Sequence, residues 1–185
     1  MQPEMVRYIP EIVTERLLLR ALRPTDEIDV FSYARDPEVA NHTLWEPHEN
    51  LNDTRVFLAF VAEQHRSGRS FIWAIVHNRD RRVIGTVGLT AYVPNHARAE
   101  MGFAIARPYW NQGYTTEAVK AMLSFALRDL GLNRVEAFCK LENIGSARVM
   151  EKAGMRFEGI LRGREFIKGR YEDVRMYAML KQDLR

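Results

Sequence analysis

The sequence predicts an α/β (α+β) fold built on a mixed, mostly antiparallel sheet with one parallel pair of neighbouring strands. Three observations lead there. Strand-like runs at 71–76, 83–92 and 99–105 are separated by the turn segments His77-Asn78-Arg79-Asp80 and Pro94-Asn95-His96, which makes an antiparallel meander. The third run is followed by an amphipathic helix and then by a strand on which Val135, Ala137, Cys139 and Leu141 alternate. A strand, a crossover helix and a strand give a parallel pair. The runs 157–167 and 171–180, joined by Lys168-Gly169-Arg170, form a closing hairpin. A parallel strand added after a meander leaves the two neighbours free to diverge at one end. The cleft opened there lies beside the helix start, where ligands sit in open α/β sheets.

Taken in order, residues 1–13 are expected to form an N-terminal arm and residues 14–183 a single domain, since no repeat, low-complexity tract or linker divides them. A chain of 185 residues suits one domain and buries roughly 70% of its unfolded surface. Residues 16–21 form the first strand, which Arg23-Pro24-Thr25-Asp26 breaks. A helix runs over 27–34 and a short one starts at Asp36-Pro37-Glu38. Residues 41–50, containing Trp45, form a polar irregular loop. Asp53 or Thr54 is expected to cap an amphipathic helix to about residue 66, with Val56, Phe57, Phe60 and Val61 inward. After the meander, a helix over 116–130 carries Val119, Met122, Leu123, Ala126, Leu127 and Leu130 at helical spacing, and Gly131 stops it. A short helix over 144–152 ends at Gly154.

Composition excludes several classes. The chain is 46% hydrophobic and 28% charged, ordinary for a soluble globular protein. Its net charge of +3 favours an anionic ligand without demanding nucleic acid. The one cysteine, Cys139, forbids an internal disulfide and reads as a small buried side chain. No apolar run approaches a membrane span and the N-terminus lacks a signal-peptide core, so a cytoplasmic setting is expected. His42, His48, His65, His77 and His96 show no close ligand spacing, and no metal is expected. Arg162, Arg164, Arg170 and Arg175 on the hairpin are interleaved with Glu158, Glu165, Glu172 and Asp173, which reads as ordinary surface pairing rather than an RNA-binding face.

The chemistry concentrates in 99–118, A-E-M-G-F-A-I-A-R-P-Y-W-N-Q-G-Y-T-T-E-A. Alternation puts Ala99, Met101, Phe103 and Ile105 on one face of a strand and Glu100, Gly102 and Ala104 on the other. The second face thus holds one carboxylate beside two positions with almost no side chain, and glycine within a strand often marks close approach by a ligand. The turn Trp110-Asn111-Gln112-Gly113-Tyr114 then leads into a helix whose free amides form an anion site. The turn matches neither G-x-x-x-x-G-K-[ST] nor G-x-G-x-x-G.

This stretch resembles the acetyl-CoA motif of GCN5-related N-acetyltransferases (GNAT), and most of all the RimJ/RimL-like branch of ribosomal-protein N-terminal acetyltransferases. Asn143-Ile144-Gly145-Ser146-Ala147-Arg148-Val149-Met150-Glu151-Lys152-Ala153-Gly154 matches the family's N-x-x-S-x-x-V-x-E-K-x-G block, and Thr14-Glu15-Arg16-Leu17-Leu18-Leu19-Arg20 matches the branch's first strand. The resemblance covers roughly residues 14–183. It implies the acyl-CoA N-acyltransferase fold, a twisted sheet with one splayed parallel pair flanked by about four helices.

The resemblance further implies acetyl-CoA as cofactor, with its pyrophosphate on the amides of Gln112, Gly113, Tyr114, Thr115 and Thr116. The pantetheine arm would pair near Phe103 and Ile105, with Asn143 bonding it from the facing segment; a helix N-cap is the other reading of Asn143. The broader pattern R/Q-x-x-G-x-G/A is altered here. Trp110 stands for Arg or Gln and Thr115 for Gly or Ala, and relative to the branch's W-G-Q-G-Y-A-T-E-A, Asn111 also departs. Acetyl transfer needs a neutral amine, and an alkylamine is mostly protonated at pH 7, so a base must act. The family places Glu100 in that role. The Tyr that many members use to protonate the thiolate aligns with Met150, which cannot serve. Ser146 is the candidate substitute, with a CoA contact or helix packing as its other readings.

Direct attack by an amine in a ternary complex is the expected reaction. The acceptor site would be built from residues 41–50, Trp45 above all, together with Glu100 and the hairpin. A protein N-terminal amine is the leading acceptor, and a polyamine, amino sugar or antibiotic is the alternative, as is a non-catalytic acyl-CoA-binding module. No membrane or nucleic-acid partner is expected, and the chain is expected to be a monomer or homodimer.

Overall fold

In the computed structural model, which describes residues 9–184, eight strands form one sheet. They are β1 (Ile12–Val13), β2 (Leu17–Ala21), β3 (Phe71–His77), β4 (Arg82–Val93), β5 (Arg98–Ile105), β6 (Arg134–Lys140), β7 (Arg156–Ile167) and β8 (Arg170–Leu180). Their order is β1-β2-β3-β4-β5-β6-β8-β7, and every neighbouring pair is antiparallel except β5–β6. The meander, the single parallel pair and the hairpin are thus where the pattern of the sequence places them. Residues 12 and 13, ahead of the expected first strand, pair with Leu19 and Leu18.

Five α-helices accompany the sheet: α1 (Glu27–Ala34), α2 (Pro37–Asn41), α3 (Leu51–Arg66), α4 (Tyr114–Ser124) and α5 (Ile144–Ala153). Strand alternation sends side chains to two cores. Trp73, Ile75, Val87, Met101 and Val135 pack with Val119, Met122 and Leu123 of α4 and Met150 of α5 on one face. Ala74 and Val83 point to the other face and pack with Val30 and Tyr33 of α1, Val39 of α2 and Leu58 of α3. Over β5 and β6, therefore, the α4–α5 face is filled, while α1–α3 cover the opposite face only around β3 and β4.

Two helices depart from expectation. The N-cap of α3 is Asn50, whose Oδ1 accepts from the N–H groups of Asn52 and Asp53, while Asp53 accepts from Asn50 N–H. Asp53 is the third residue of a capping box rather than the cap itself. The buried stripe of α3 is Thr54, Leu58 and Val61, with Val56 and Phe60 outward at 62% and 56% exposure. Thr54 holds a central inward position because its Oγ1 meets His48 Nδ1 at 2.9 Å, so apolar spacing alone misassigns the face.

The second departure is α4, which begins two residues before the expected start and is capped by Gly113 in the left-handed region. It closes in a π-helical turn, Phe125–Asp129, in which Leu130 N–H donates to Phe125 O at 3.0 Å.

Candidate active site

The parallel pair is held by only three residues on each strand. Arg98, Ala99 and Glu100 lie opposite Arg134, Val135 and Glu136. Beyond that point β5 continues to Ile105 paired only with β4, and β6 to Lys140 paired only with β8. The strands part directly after Glu100. Main-chain parity decides which groups face the opening. Ala106 N–H bonds Ile84 O at 2.7 Å, so residues 102 and 104 turn toward β4 and Met101, Phe103 and Ile105 toward the gap. Lys181 N–H bonds Asn133 O at 2.9 Å, which by the same count turns Phe138 and Lys140 toward the gap from β6. Trp110 Nε1 occupies the Ile105 carbonyl at 2.8 Å, which leaves the Phe103 amide groups and the Ile105 N–H as the exposed edge of β5.

At the end of β5 the chain turns through Asn111, φ 59°, and Gly113, φ 83°. Asn tolerates the left-handed region better than other non-glycine residues, which explains why it can stand where the branch has Gly. Within α4 the first bond is Glu117 N–H to Gly113 O at 3.0 Å. The N–H groups of Gly113, Tyr114, Thr115 and Thr116 therefore have no intrahelical acceptor and form the positive end of the helix dipole. Gln112 and Gly113 are exposed, whereas Thr115 is buried at 9% and contributes little surface to an incoming anion.

The turn is tied to the first strands by contacts that the sequence pattern does not reveal. Glu117 accepts from Thr14 Oγ1 at 2.7 Å, Arg16 N–H at 2.8 Å and Arg16 Nε at 2.7 Å. Arg16 also donates to Gln112 O at 3.0 Å and lies over the Tyr114 ring at 4.3 Å. Tyr114 OH meets the buried His77 Nε2 at 3.1 Å. Burial pushes the Glu117 carboxyl up, but the bonds from Thr14 and Arg16 outweigh it and hold the carboxyl below its usual range. Because the folded-state value is depressed, this contribution to stability is present above the unfolded carboxylate pKa of roughly 4 and is lost as pH falls through the folded value. Glu117→Gln is expected to cost about 1.5–3 kcal/mol in urea unfolding at pH 7, and progressively less as pH falls through the depressed folded-state value of the carboxyl.

On the face opposite α4 and α5 lies Glu100, joined to Arg164 Nη2 at 2.9 Å. Arg164 Nη1 contacts Glu165 Oε1 at 2.5 Å, and its guanidinium carbon lies 4.7 Å from the centroid of Phe138. Arg164, expected among the ordinary surface pairs of the hairpin, makes its pair with Glu165 but also reaches Glu100 beside the gap, and Glu172 lies between the exposed Arg170 at 2.6 Å and the buried Lys140 at 3.8 Å. The hairpin tip meets the 41–50 loop region from above. Lys168 Nζ donates to Ala40 O at 2.9 Å and lies 3.7 Å from Glu46, and the buried Lys140 donates to Asn41 O at 3.2 Å. Trp45 is half-buried on that loop, against the second core and the His48 ring at 5.7 Å, so its partners are these rather than Glu100.

Asn143 is the N-cap of α5. Its Oδ1 accepts from Ser146 N–H at 3.0 Å, leaving the side-chain amide nitrogen as its remaining donor group. Ser146 is half-buried in the first turn of α5, on the face of the sheet opposite Glu100. Met150, one turn on, is fully buried in the first core. Cys139 is buried there too, and its burial pushes the thiol up to about 11, so it is not a thiolate near neutral pH. Among the described residues, no group of three or more His, Cys, Asp or Glu is placed to hold a metal ion, and no helix is long and apolar enough to cross a membrane.

The chain matches the acetyltransferase (GNAT) domain over residues 16–156. It is 31% identical to the uncharacterized N-acetyltransferase p20 of Bacillus licheniformis, over 93% of this chain and 97% of that protein. It is 26% identical to the ribosomal-protein-serine acetyltransferase of Escherichia coli, over 71% and 73% of the two chains. It is 25% identical to the spermidine N(1)-acetyltransferase of Vibrio cholerae, over 90% and 95%. Among solved structures, a GNAT-family acetyltransferase from Bacillus anthracis superposes with a TM-score of 0.82 at 28% identity, over 94% of this chain and 99% of that one. The RimL ribosomal L7/L12 α-N-protein acetyltransferase in complex with coenzyme A shares the fold, with a TM-score of 0.83 at 21% identity over 95% and 100%.

Proposed function

We propose, from the premise that this chain belongs to the GNAT family and is an acetyl-CoA-dependent N-acetyltransferase, that its acceptor is the α-amine of a polypeptide N-terminus and that residues 14–183 act as one catalytic domain. The observation that carries the placement of the reaction is the three-residue contact between β5 and β6 followed by their divergence. When bound, acetyl-CoA supplies an activated thioester. In this reading the amides of Gln112, Gly113, Tyr114, Thr115 and Thr116 hold its pyrophosphate, and the Phe103 edge and Ile105 N–H pair with the pantetheine amides. Asn143 bonds the same arm through its amide nitrogen.

The amine approaches from the face that carries Glu100 and the loop bearing Trp45. Glu100 accepts its proton directly or through water, and must first release Arg164 to do so. The deprotonated amine attacks the thioester carbon, and free gap-facing N–H groups stabilise the oxygen that gains charge. As the C–S bond breaks, the proton left on the attacking nitrogen passes to the departing thiolate, to which Ser146, on the opposite side of the gap, donates a hydrogen bond. Base and leaving-group donor thus stand on opposite faces of the sheet with the opening between them.

The ribosomal-protein-serine enzyme supports a peptide acceptor, and the spermidine enzyme supports a small polyamine as the second reading. Thiol release from acetyl-CoA with peptides of free N-terminus, the same peptides N-blocked, and spermidine separates them. Peptides with free N-termini are expected to turn over with a kcat/KM far above that of small alkyl amines such as spermidine, and N-blocked peptides not at all. Turnover with spermidine alone moves the acceptor to small amines, and binding of CoA without any turnover leaves a binding module.

A further inference from the structure

We propose that Arg164 is a built-in occupant of the acceptor subsite, and that the acceptor ammonium enters by displacing its guanidinium from between Glu100, Glu165 and the face of Phe138. This rests on the acetyltransferase reading and specifies what the acceptor end of that site recognises. The three walls are independent. Glu100 comes from β5, at 2.9 Å from Arg164 Nη2. Glu165 comes from β7, at 2.5 Å from Nη1. Phe138 comes from β6, beyond the last paired residues, with its ring 4.7 Å from the guanidinium carbon. Two carboxylates and an aromatic face make a cation site. The neighbouring floor is bare: a Cβ added to Gly102 would meet only Thr90 Cγ2, at 3.5 Å.

The segment carrying Arg164 lies outside the regular β7–β8 ladder. Pairing of β7 with β8 jumps from Leu161↔Val174 to Glu165↔Glu172, so 162–164 bulge out opposite Asp173. Gly159 and Gly163 have φ values of 145° and 56°, and Gly163 N–H donates to Asp173 Oδ1 at 2.8 Å. A recess of about 360 Å³, bordered by Arg134, Glu136, Glu158, Leu161 and Met176, adjoins Arg164 and gives its side chain a place to go. A primary ammonium is a compact point charge and fits between two carboxylates in less space than a planar guanidinium. The acceptor is therefore an alkyl ammonium, positively charged on arrival, rather than an aromatic amine that is neutral in solution.

The test uses Arg164→Ala with butylamine as acceptor and methylguanidinium as probe. The KM for butylamine is expected to fall about tenfold while the KM for acetyl-CoA stays unchanged. Methylguanidinium is expected to inhibit Arg164→Ala competitively with butylamine and to leave the wild type unaffected. Saturation-transfer NMR, which needs no turnover, is expected to show methylguanidinium binding to Arg164→Ala and neither to the wild type nor to Arg164→Ala/Phe138→Ala. A raised or unchanged KM for butylamine, recovery of lost activity by methylguanidinium, or equal probe binding to wild type and variant overturns the proposal. If the wild type acetylates no amine, the acetyltransferase assignment of this site fails while the NMR comparison still decides whether Arg164 fills a cation cage.

Discussion

Glu100→Gln is expected to lower kcat by ~10²–10⁴ and to leave the affinity for acetyl-CoA unchanged. That range corresponds to about 2.7–5.5 kcal/mol of lost transition-state stabilisation. Glutamine matches the shape of glutamate but cannot accept the ammonium proton at neutral pH, so the effect isolates proton transfer from packing. In the proposed arrangement the cofactor lies at the other end of the gap, on the start of α4 and the Phe103 edge, and on that account should not sense the change. Stopped-flow or steady-state thiol release over a range of both substrates gives kcat and the two KM values separately. An unchanged kcat removes Glu100 from the mechanism. A rise in KM for acetyl-CoA equal to the fall in kcat/KM assigns it to cofactor binding instead.

Gly113→Val is expected to raise the KM for acetyl-CoA about a hundredfold, and to do far less to turnover of S-acetylpantetheine, which lacks the phosphates. Gly113 has φ 83°, a conformation that a β-branched residue adopts only with strain of roughly 1–2 kcal/mol. Relief of that strain would rotate the N–H groups of residues 113–116 away from a common centre. A Cβ there would also lie 3.4 Å from Arg16 Nη2, on the guanidinium whose Nη1 braces the turn through Gln112 O. Charge-assisted bonds from several amides to one anion are lost together, and each is worth about 1.5–3 kcal/mol when made to a charged group. Comparing the two thioester substrates separates loss of the phosphate cradle from general destabilisation, which lowers both rates alike.

Much of this site is legible in the sequence, because two periodicities and one connection rule suffice for it. Alternation through 99–105 fixes the side of the sheet on which Glu100 emerges, and a strand–helix–strand order fixes the parallel pair. Where those strands part is not written locally. The pairing stops at Glu100, the residue at which the β4–β5 register shifts between Leu89 and Ala91, and that irregularity belongs to the sheet rather than to any local pattern. The contacts missed have the same origin. Thr14 and Arg16 reach Glu117 across about a hundred positions, and Arg164 reaches Glu100 across 64, so neither pair leaves a local pattern. Sequence spacing also cannot tell that the buried centre of α3 is a threonine satisfied by His48, which is why Val56 and Phe60 were assigned inward.

A crystal structure with coenzyme A bound tests the central claim most directly. The pyrophosphate is expected within hydrogen-bond distance of the amides of residues 112–116, with the pantetheine arm lying between Phe103 on β5 and Phe138 on β6. A gap closed between those strands, or a nucleotide seated anywhere else on the molecule, contradicts the account.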